Sequence, residues 1–158
     1  MKFVNRDTRL ELLINCELIN RLEVYGKEKY PNEFGGLLLG KYINSNKTVV
    51  IKDTLLPKKY KSSRYYFERG SNGLKELLEQ YYANEGLVYV GEWHTHPDNA
   101  AVPSQTDIRA MKELAEDKNV LINNPVLMIL EIQKTDYNIG IYFLFNGKLL
   151  QYILAESE

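Results

Sequence analysis

Two histidines at the end of an apolar stretch have the residue types and spacing best suited to chemistry in this chain. His94 and His96 are its only histidines, and Pro97 follows them directly. Side chains at positions i and i+2 of a strand point to the same face, so both imidazoles can reach one metal ion, and Pro97 favours an extended His96. Neutral imidazole is a good zinc ligand, and a catalytic zinc ion typically has three protein ligands. A third ligand is therefore expected.

Asp107 is the leading candidate for the third ligand. Pro103 and Ser104 indicate a helix start, which places Ser104 and Asp107 three residues apart on one helical face. The segment 104–107 also has the pattern of a helix cap, in which the serine oxygen accepts a backbone N–H and the carboxylate is favoured near the helix N-terminus. If capping occupies Asp107, the metal loses its third ligand, so the two interpretations compete.

Glu33 is the candidate base for such a site. A zinc ion lowers the pKa of water to roughly 7, but a base must still take the proton as the water attacks a carbonyl. Glu33 stands just before Gly35 and Gly36, where missing side chains allow close backbone approach, and it precedes a hydrophobic strand. The alternative is a solvated acid at a helix–strand junction.

Length and charge narrow the class of protein. A chain of 158 residues with 44% hydrophobic residues is expected to form one compact domain, residues 1–158. The 20 basic residues nearly cancel the 21 acidic ones, which argues against nucleic acid as a partner. No stretch approaches the roughly 18 apolar residues of a membrane span, so neither a signal peptide nor a membrane anchor is expected. Cys16 is the only cysteine, which excludes an internal disulfide and favours a cytoplasmic location.

Hydrophobic periodicity predicts the elements that position these residues. It predicts helices over Arg9–Lys29, Ser71–Asn84 and Ser104–Asp117, and strands over Phe34–Tyr42, Thr48–Leu56, Leu87–His94, Val126–Gln133, Tyr137–Phe145 and Lys148–Leu154. The segment 57–69 is basic and aromatic, and could recognise a substrate tail or form a solvated loop with a short strand. This order predicts an α/β (α+β) protein with a mixed central sheet flanked by about three helices.

The spacing of the candidate residues resembles a known family, the JAB/MPN domain metalloproteases with the JAMM motif. That motif is a glutamate followed downstream by His-x-His-Pro, six residues, and Ser-x-x-Asp. His94-Thr95-His96-Pro97, six residues and Ser104-Gln105-Thr106-Asp107 match it at every position, and Glu33-Phe34-Gly35-Gly36 looks like the upstream glutamate strand. The string from Gly91 to Pro97 is similar to the stand-alone prokaryotic branch, which includes deconjugating peptidases of CBASS antiviral operons.

The resemblance implies a fold and a reaction. It implies the cytidine deaminase-like JAB/MPN architecture, with one catalytic zinc ion held by His94, His96 and Asp107. It also implies that Glu33 is the general base and later proton donor, and that Ser104 stabilises the oxyanion. The implied substrate is the C-terminal tail of a ubiquitin-like protein, or of a conjugated nucleotidyltransferase, joined to its target through an amide bond.

Two other functions compete with this isopeptidase or peptidase. The same fold serves as a non-catalytic interaction module in members that lack the motif, whereas this chain has every motif residue. Zinc hydrolysis of a small-molecule amide is the second alternative; nucleobase deamination is disfavoured because deaminases usually bind zinc through a Cys-x-x-Cys pair. Glu92, on the strand face of His94, is either a partner that orients an imidazole or a bystander.

Overall fold

The computed structural model describes residues 1–156, in which ten strands and three helices follow one another. The strands are β1 (Lys2–Asn5), β2 (Leu10–Ile14), β3 (Gly35–Ile43), β4 (Thr48–Leu55), β5 (Tyr60–Ser63), β6 (Tyr66–Arg69), β7 (Val88–Pro97), β8 (Val126–Ile132), β9 (Tyr137–Phe145) and β10 (Lys148–Leu154). The helices are α1 (Cys16–Lys29), α2 (Leu74–Glu85) and α3 (Gln105–Glu116). After residue 33 the predicted order of helices and strands is confirmed, with boundaries that differ by three residues or fewer, except that residues 57–69 contain two strands and not one short strand.

Eight of the strands form one mixed sheet that closes into a barrel, in the order β1-β10-β9-β8-β7-β3-β4-β2. The pairs β2–β4 and β7–β8 are parallel, and the other neighbours are antiparallel. The prediction of a mixed sheet with about three helices is confirmed. Closure was not predicted; it pairs the short strands β1 and β2 with the rest of the sheet and leaves no open edge.

The first predicted helix, Arg9–Lys29, is wrong in its first third. Residues Leu10–Ile14 form β2, which pairs in parallel with the start of β4. Alternating Leu10, Leu12 and Ile14 suit a strand, but Leu10, Leu13 and Ile14 also satisfy a helical period when read with the residues that follow. The helix begins after Asn15, whose side-chain oxygen accepts the backbone N–H of Leu18 at 2.7 Å.

Each helix packs against a different part of the sheet. α1 buries Leu18 and Leu22 in the largest core cluster, which also contains the inward residues of β7 and β8. α3 packs Met111 against Leu127 and Ile129 of β8. Full burial of a leucine contributes roughly 1.5–3 kcal/mol, so these contacts fix the helices on the barrel. Within residues 1–156 no helix combines the length and apolar composition needed to cross a bilayer.

The segment 57–69 forms a β-hairpin, β5–β6, as a separate two-stranded sheet. Its inward rings, Tyr60 and Phe67, pack edge-on against Phe34. The side chains of Lys58, Lys59, Lys61 and Arg64 are exposed, in agreement with a solvated basic surface over an aromatic cluster, whereas Arg69 is half-buried. The hairpin therefore lies next to the chain that leads into β3.

Candidate functional site

The two histidines lie at the carboxyl end of β7, a central strand between β3 and β8. Because they are two residues apart on a strand, their rings project to the same side, and the Nε2 atoms of His94 and His96 lie 3.1 Å apart. His96 is buried and His94 is half-buried. Trp93, the residue before His94, is buried and donates its indole N–H to the hydroxyl oxygen of Thr54.

Asp107 both caps α3 and faces the histidines. Its Oδ2 accepts the backbone N–H of Ser104 at 2.7 Å, and its own N–H donates to the Ser104 hydroxyl oxygen at 3.1 Å, which completes a capping box. Its Oδ1 lies 3.3 Å from Nε2 of His94, and its Oδ2 lies 3.5 Å from Nε2 of His96. The cap therefore does not turn the carboxylate away from the histidines, and Oδ1 has no part in the capping bond to Ser104.

The separations of these three donor groups are close to those around one tetrahedral metal ion. Atoms bound to one zinc ion at about 2.0–2.1 Å lie roughly 3.3–3.4 Å apart in tetrahedral geometry. The two Nε2 atoms lie 3.1 Å apart, Oδ1 of Asp107 lies 3.3 Å from Nε2 of His94, and the other oxygen, Oδ2, lies 3.5 Å from Nε2 of His96. The three donor atoms lie within 4.8 Å of one another. Nδ1 of His96 lies 2.9 Å from the carbonyl oxygen of Ala100, which can only accept, so Nδ1 carries a proton and Nε2 is the nitrogen that a metal ion would bind. The donor set is compatible with a metal ion.

The charges of the cluster stabilise one another. Burial would raise the pKa of Asp107, but hydrogen bonds with the two histidines and with the Ser104 N–H outweigh it and hold that pKa well below its usual value. Burial alone would lower the pKa of His96, whereas its contacts with Asp107 and the Ala100 carbonyl raise it above the usual value. Asp107 is therefore a carboxylate, the form that binds a cation.

Glu33 reaches the histidines because β3 starts opposite them. Gly35, the first residue of β3, pairs with His94 in the antiparallel register. A Cβ atom at Gly35 would overlap the carbonyl oxygen of Trp93, so only glycine allows the two strands to approach this closely. Glu33, His94 and Asp107 line one cavity of about 110 Å³. The structure thus brings Glu33 together with His94 and Asp107, which follow it by 61 and 74 positions.

The backbone around Glu33 is held on two sides. Its N–H donates to the carbonyl oxygen of Ser63, in the hairpin, at 2.8 Å. The next residue, Phe34, donates its N–H to the hydroxyl oxygen of Thr95 at 2.9 Å and accepts the N–H of Thr95 at 2.8 Å. Sequence reasoning missed Thr95, although its position between two residues of one strand face indicated an inward side chain. No local signal pointed to Ser63.

Burial raises the pKa of the Glu33 carboxyl above its usual value. The histidines oppose this shift and the negative charge of Asp107 adds to it. A carboxylate with a raised pKa is a stronger base, as proton abstraction from water requires.

Ser104 and Glu92 differ in their relation to the cavity. The cavity wall contains Thr106 and Asp107, whereas Ser104 is exposed at the helix cap, where its hydroxyl hydrogen is free to donate. Glu92 lines the cavity, but its Oε1 accepts hydrogen bonds from Arg69 at 2.6 Å and from the Tyr89 hydroxyl at 2.7 Å. Its hydrogen bonds thus fasten the hairpin to β7 and do not involve an imidazole.

Residues 17–139 match the family described as prokaryotic homologs of the JAB domain. The match covers more than three quarters of the chain, and the chain belongs to this family. The solution structure of protein DSY2949 from Desulfitobacterium hafniense superposes with a TM-score of 0.65, covering 89% of this chain and 88% of that one, at 17% sequence identity. That likeness shows the fold, and the predicted fold class is confirmed.

Three curated proteins with the name CD-NTase/cGAS isopeptidase are similar in sequence. The protein from Enterobacter hormaechei subsp. hoffmannii is 38% identical over 100 residues, which are 63% of this chain and 55% of that protein. The protein from Pseudomonas aeruginosa is 37% identical over 78 residues, 48% of each chain. The protein from Escherichia coli is 24% identical over 131 residues, 82% of this chain and 80% of that protein. The chain spans about half the length of the first two relatives.

Proposed function

We propose that this chain is a zinc-dependent isopeptidase that hydrolyses the amide bond between a conjugated CD-NTase, or a ubiquitin-like protein, and its target, as part of bacterial antiviral defence. The proposal covers residues 1–158 as one domain, whose last two residues lie outside the described range. His94, His96 and Asp107 would hold the metal, Glu33 would act as general base and acid, and Ser104 would stabilise the oxyanion.

The convergence of two imidazole nitrogens and a carboxylate beside a half-buried glutamate carries this proposal. Such a cluster at a buried strand end has no structural requirement, since a core would be better served by apolar side chains. The name shared by the three relatives supports the choice of a CD-NTase conjugate as substrate. Scaffold members of the fold would not need these residues.

The chemistry of the cluster suits amide hydrolysis. A zinc ion, when bound, supplies a Lewis acid that polarises a carbonyl and acidifies water. The Glu33 carboxylate takes one proton from the attacking water while the water oxygen bonds to the carbonyl carbon. Glu33 then delivers that proton to the leaving nitrogen as the C–N bond breaks, which yields a free carboxyl terminus and a lysine amine. The Ser104 hydroxyl donates to the oxyanion while its oxygen still caps α3.

The test combines zinc content with cleavage of CD-NTase or ubiquitin-like tails linked to a lysine. Wild type should hold about one zinc ion and cleave the link. Glu33→Gln should retain zinc but lose about 10²- to 10⁴-fold in kcat, because an amide cannot accept the proton. His94→Ala should lose both.

Glu92→Gln is the matched control, since Glu92 is a carboxylate of the same cavity that is bonded to Arg69. It should retain zinc, and its kcat should stay within about tenfold of the wild-type value. Loss of a general base would lower kcat by more than that. Wild type without zinc, or Glu33→Gln with wild-type turnover, would contradict the proposal.

A further inference from the structure

The loop between His96 and α3 forms hydrogen bonds with both His96 and β9, through two adjacent residues. The carbonyl oxygen of Ala100 lies 2.9 Å from Nδ1 of His96. The carbonyl oxygen of the next residue, Ala101, accepts the hydroxyl of Tyr142 at 2.8 Å. Gly140, two residues before Tyr142, lies against the same Ala101 oxygen, which a Cβ atom at position 140 would overlap. β9 thus contacts the loop one residue from the partner of His96.

Few other bonds fix the middle of this loop. Its start is held by the N–H of Asp98, which donates to the carbonyl of Ile132 at 2.9 Å. The N–H of Val102 donates back to the Ala100 carbonyl at 2.8 Å, so Ala100 and Val102 form a tight turn around Ala101. Ala101 is buried against the α3 cluster, and its carbonyl is the atom that reaches β9. The orientation of the Ala100 carbonyl therefore depends on where Ala101 is anchored.

We propose that Tyr142 and Gly140 are positioning residues for the metal site: they hold the Ala100–Ala101 turn whose carbonyl keeps His96 as the Nδ1–H tautomer. This inference rests on the proposed metal site. Planar peptides leave only two soft dihedrals between the carbonyls of Ala100 and Ala101, so displacement of one turns the other. A metal-binding imidazole whose second N–H donates to a backbone carbonyl has a fixed tautomer and ring orientation, and loss of such a partner typically weakens metal binding 10- to 100-fold.

The residue types on β9 agree with this role. Gly140 does not have a positive φ angle, so conformational freedom is not the reason for a glycine there. The close approach of Ala101 and of the Tyr142 ring accounts for it. Tyr142 packs its ring against the Met111 cluster, where phenylalanine would fit equally well. Within residues 1–156, the bond to Ala101 is the one hydrogen bond that its hydroxyl makes.

The test uses the full chain with Tyr142→Phe, Gly140→Ala and, as a matched control, Tyr137→Phe. Tyr137 is on the same strand, and its hydroxyl makes no hydrogen bond with any residue in the range 1–156. Zinc affinity is measured by competition with a chromophoric chelator. The tautomer of His96 is measured in the metal-free protein by long-range ¹⁵N–¹H NMR, at a pH high enough for the ¹⁵N shifts of its ring to show one protonated and one unprotonated nitrogen.

Tyr142→Phe should weaken zinc binding about fivefold, the effect of one net hydrogen bond, and Gly140→Ala at least about tenfold. Both should move His96 from the Nδ1–H form toward a tautomer mixture, whereas Tyr137→Phe should match wild type. A Tyr142→Phe variant with wild-type affinity and an unchanged tautomer would overturn the inference, even if Gly140→Ala failed to fold. If wild type binds no zinc, the proposed function fails, but the tautomer of the metal-free variants still decides this inference.

Discussion

Thr95→Val tests whether the strand that follows Glu33 is fastened to the histidine strand by one buried hydroxyl. The Thr95 side chain is fully buried, and its oxygen accepts the N–H of Phe34, which is buried as well. Valine keeps the shape but leaves that N–H without a partner, at a cost of about 1–3 kcal/mol in the free energy of unfolding. For a domain of this size the midpoint of thermal unfolding should fall by roughly 2–12 °C.

The same variant should lower turnover, because Phe34 directly follows Glu33 and a shift of its backbone would displace the Glu33 carboxylate. Urea unfolding measures the stability loss, and kcat is measured on a tail-linked substrate well below the unfolding transition. A displaced base should reduce kcat by about tenfold, which corresponds to roughly 1.4 kcal/mol in the activation barrier. Thr48→Val is the control, since Thr48 is also buried but is the first residue of β4, paired with Ile43 and away from the histidines.

Two results would refute this reasoning. The first is an unchanged urea midpoint for Thr95→Val, which would mean that its hydroxyl contributes no net stability. The second is a loss of kcat no larger than that of Thr48→Val, which would mean that the bond to Phe34 does not position Glu33.

Three further predictions concern the cap, the strand contact and the metal. Ser104→Ala should lower the free energy of unfolding by about 1 kcal/mol in urea, because the helix cap is lost, and should also lower kcat in steady-state kinetics. Full activity would exclude Ser104 from catalysis. Gly35→Ala should destabilise the fold by at least about 1–3 kcal/mol in urea, because its Cβ would overlap the Trp93 carbonyl; a tolerated alanine would contradict the close approach. Free zinc at about 100 times its Kd should add about 2.7 kcal/mol to the free energy of unfolding, which raises the midpoint of thermal unfolding by roughly 5–10 °C. His96→Ala should abolish this gain. A midpoint that neither zinc nor a chelator changes would argue against a native metal site.

Local relations in the site could be predicted from the sequence. The same-face placement of His94 and His96 follows from the period of a strand, and the cap at Ser104 follows from the first turn of a helix. The long strands β8, β9 and β10 were predicted for a similar reason: their apolar runs end at clear turns. In each case the determining contacts lie within a few residues along the chain.

The tertiary structure alone decided what depends on distant partners. Leu10–Ile14 became a strand because β4 offers a parallel partner, and Glu33 joins His94 because β3 pairs with β7 at Gly35. Glu92 bonds to Arg69 because the hairpin folds back over β7. The hydrophobic periodicity of the sequence shows which face of a helix or strand is apolar, but it does not show which other element packs against that face. The sequence therefore determined the residues that could do the chemistry, and strand pairing determined that they meet.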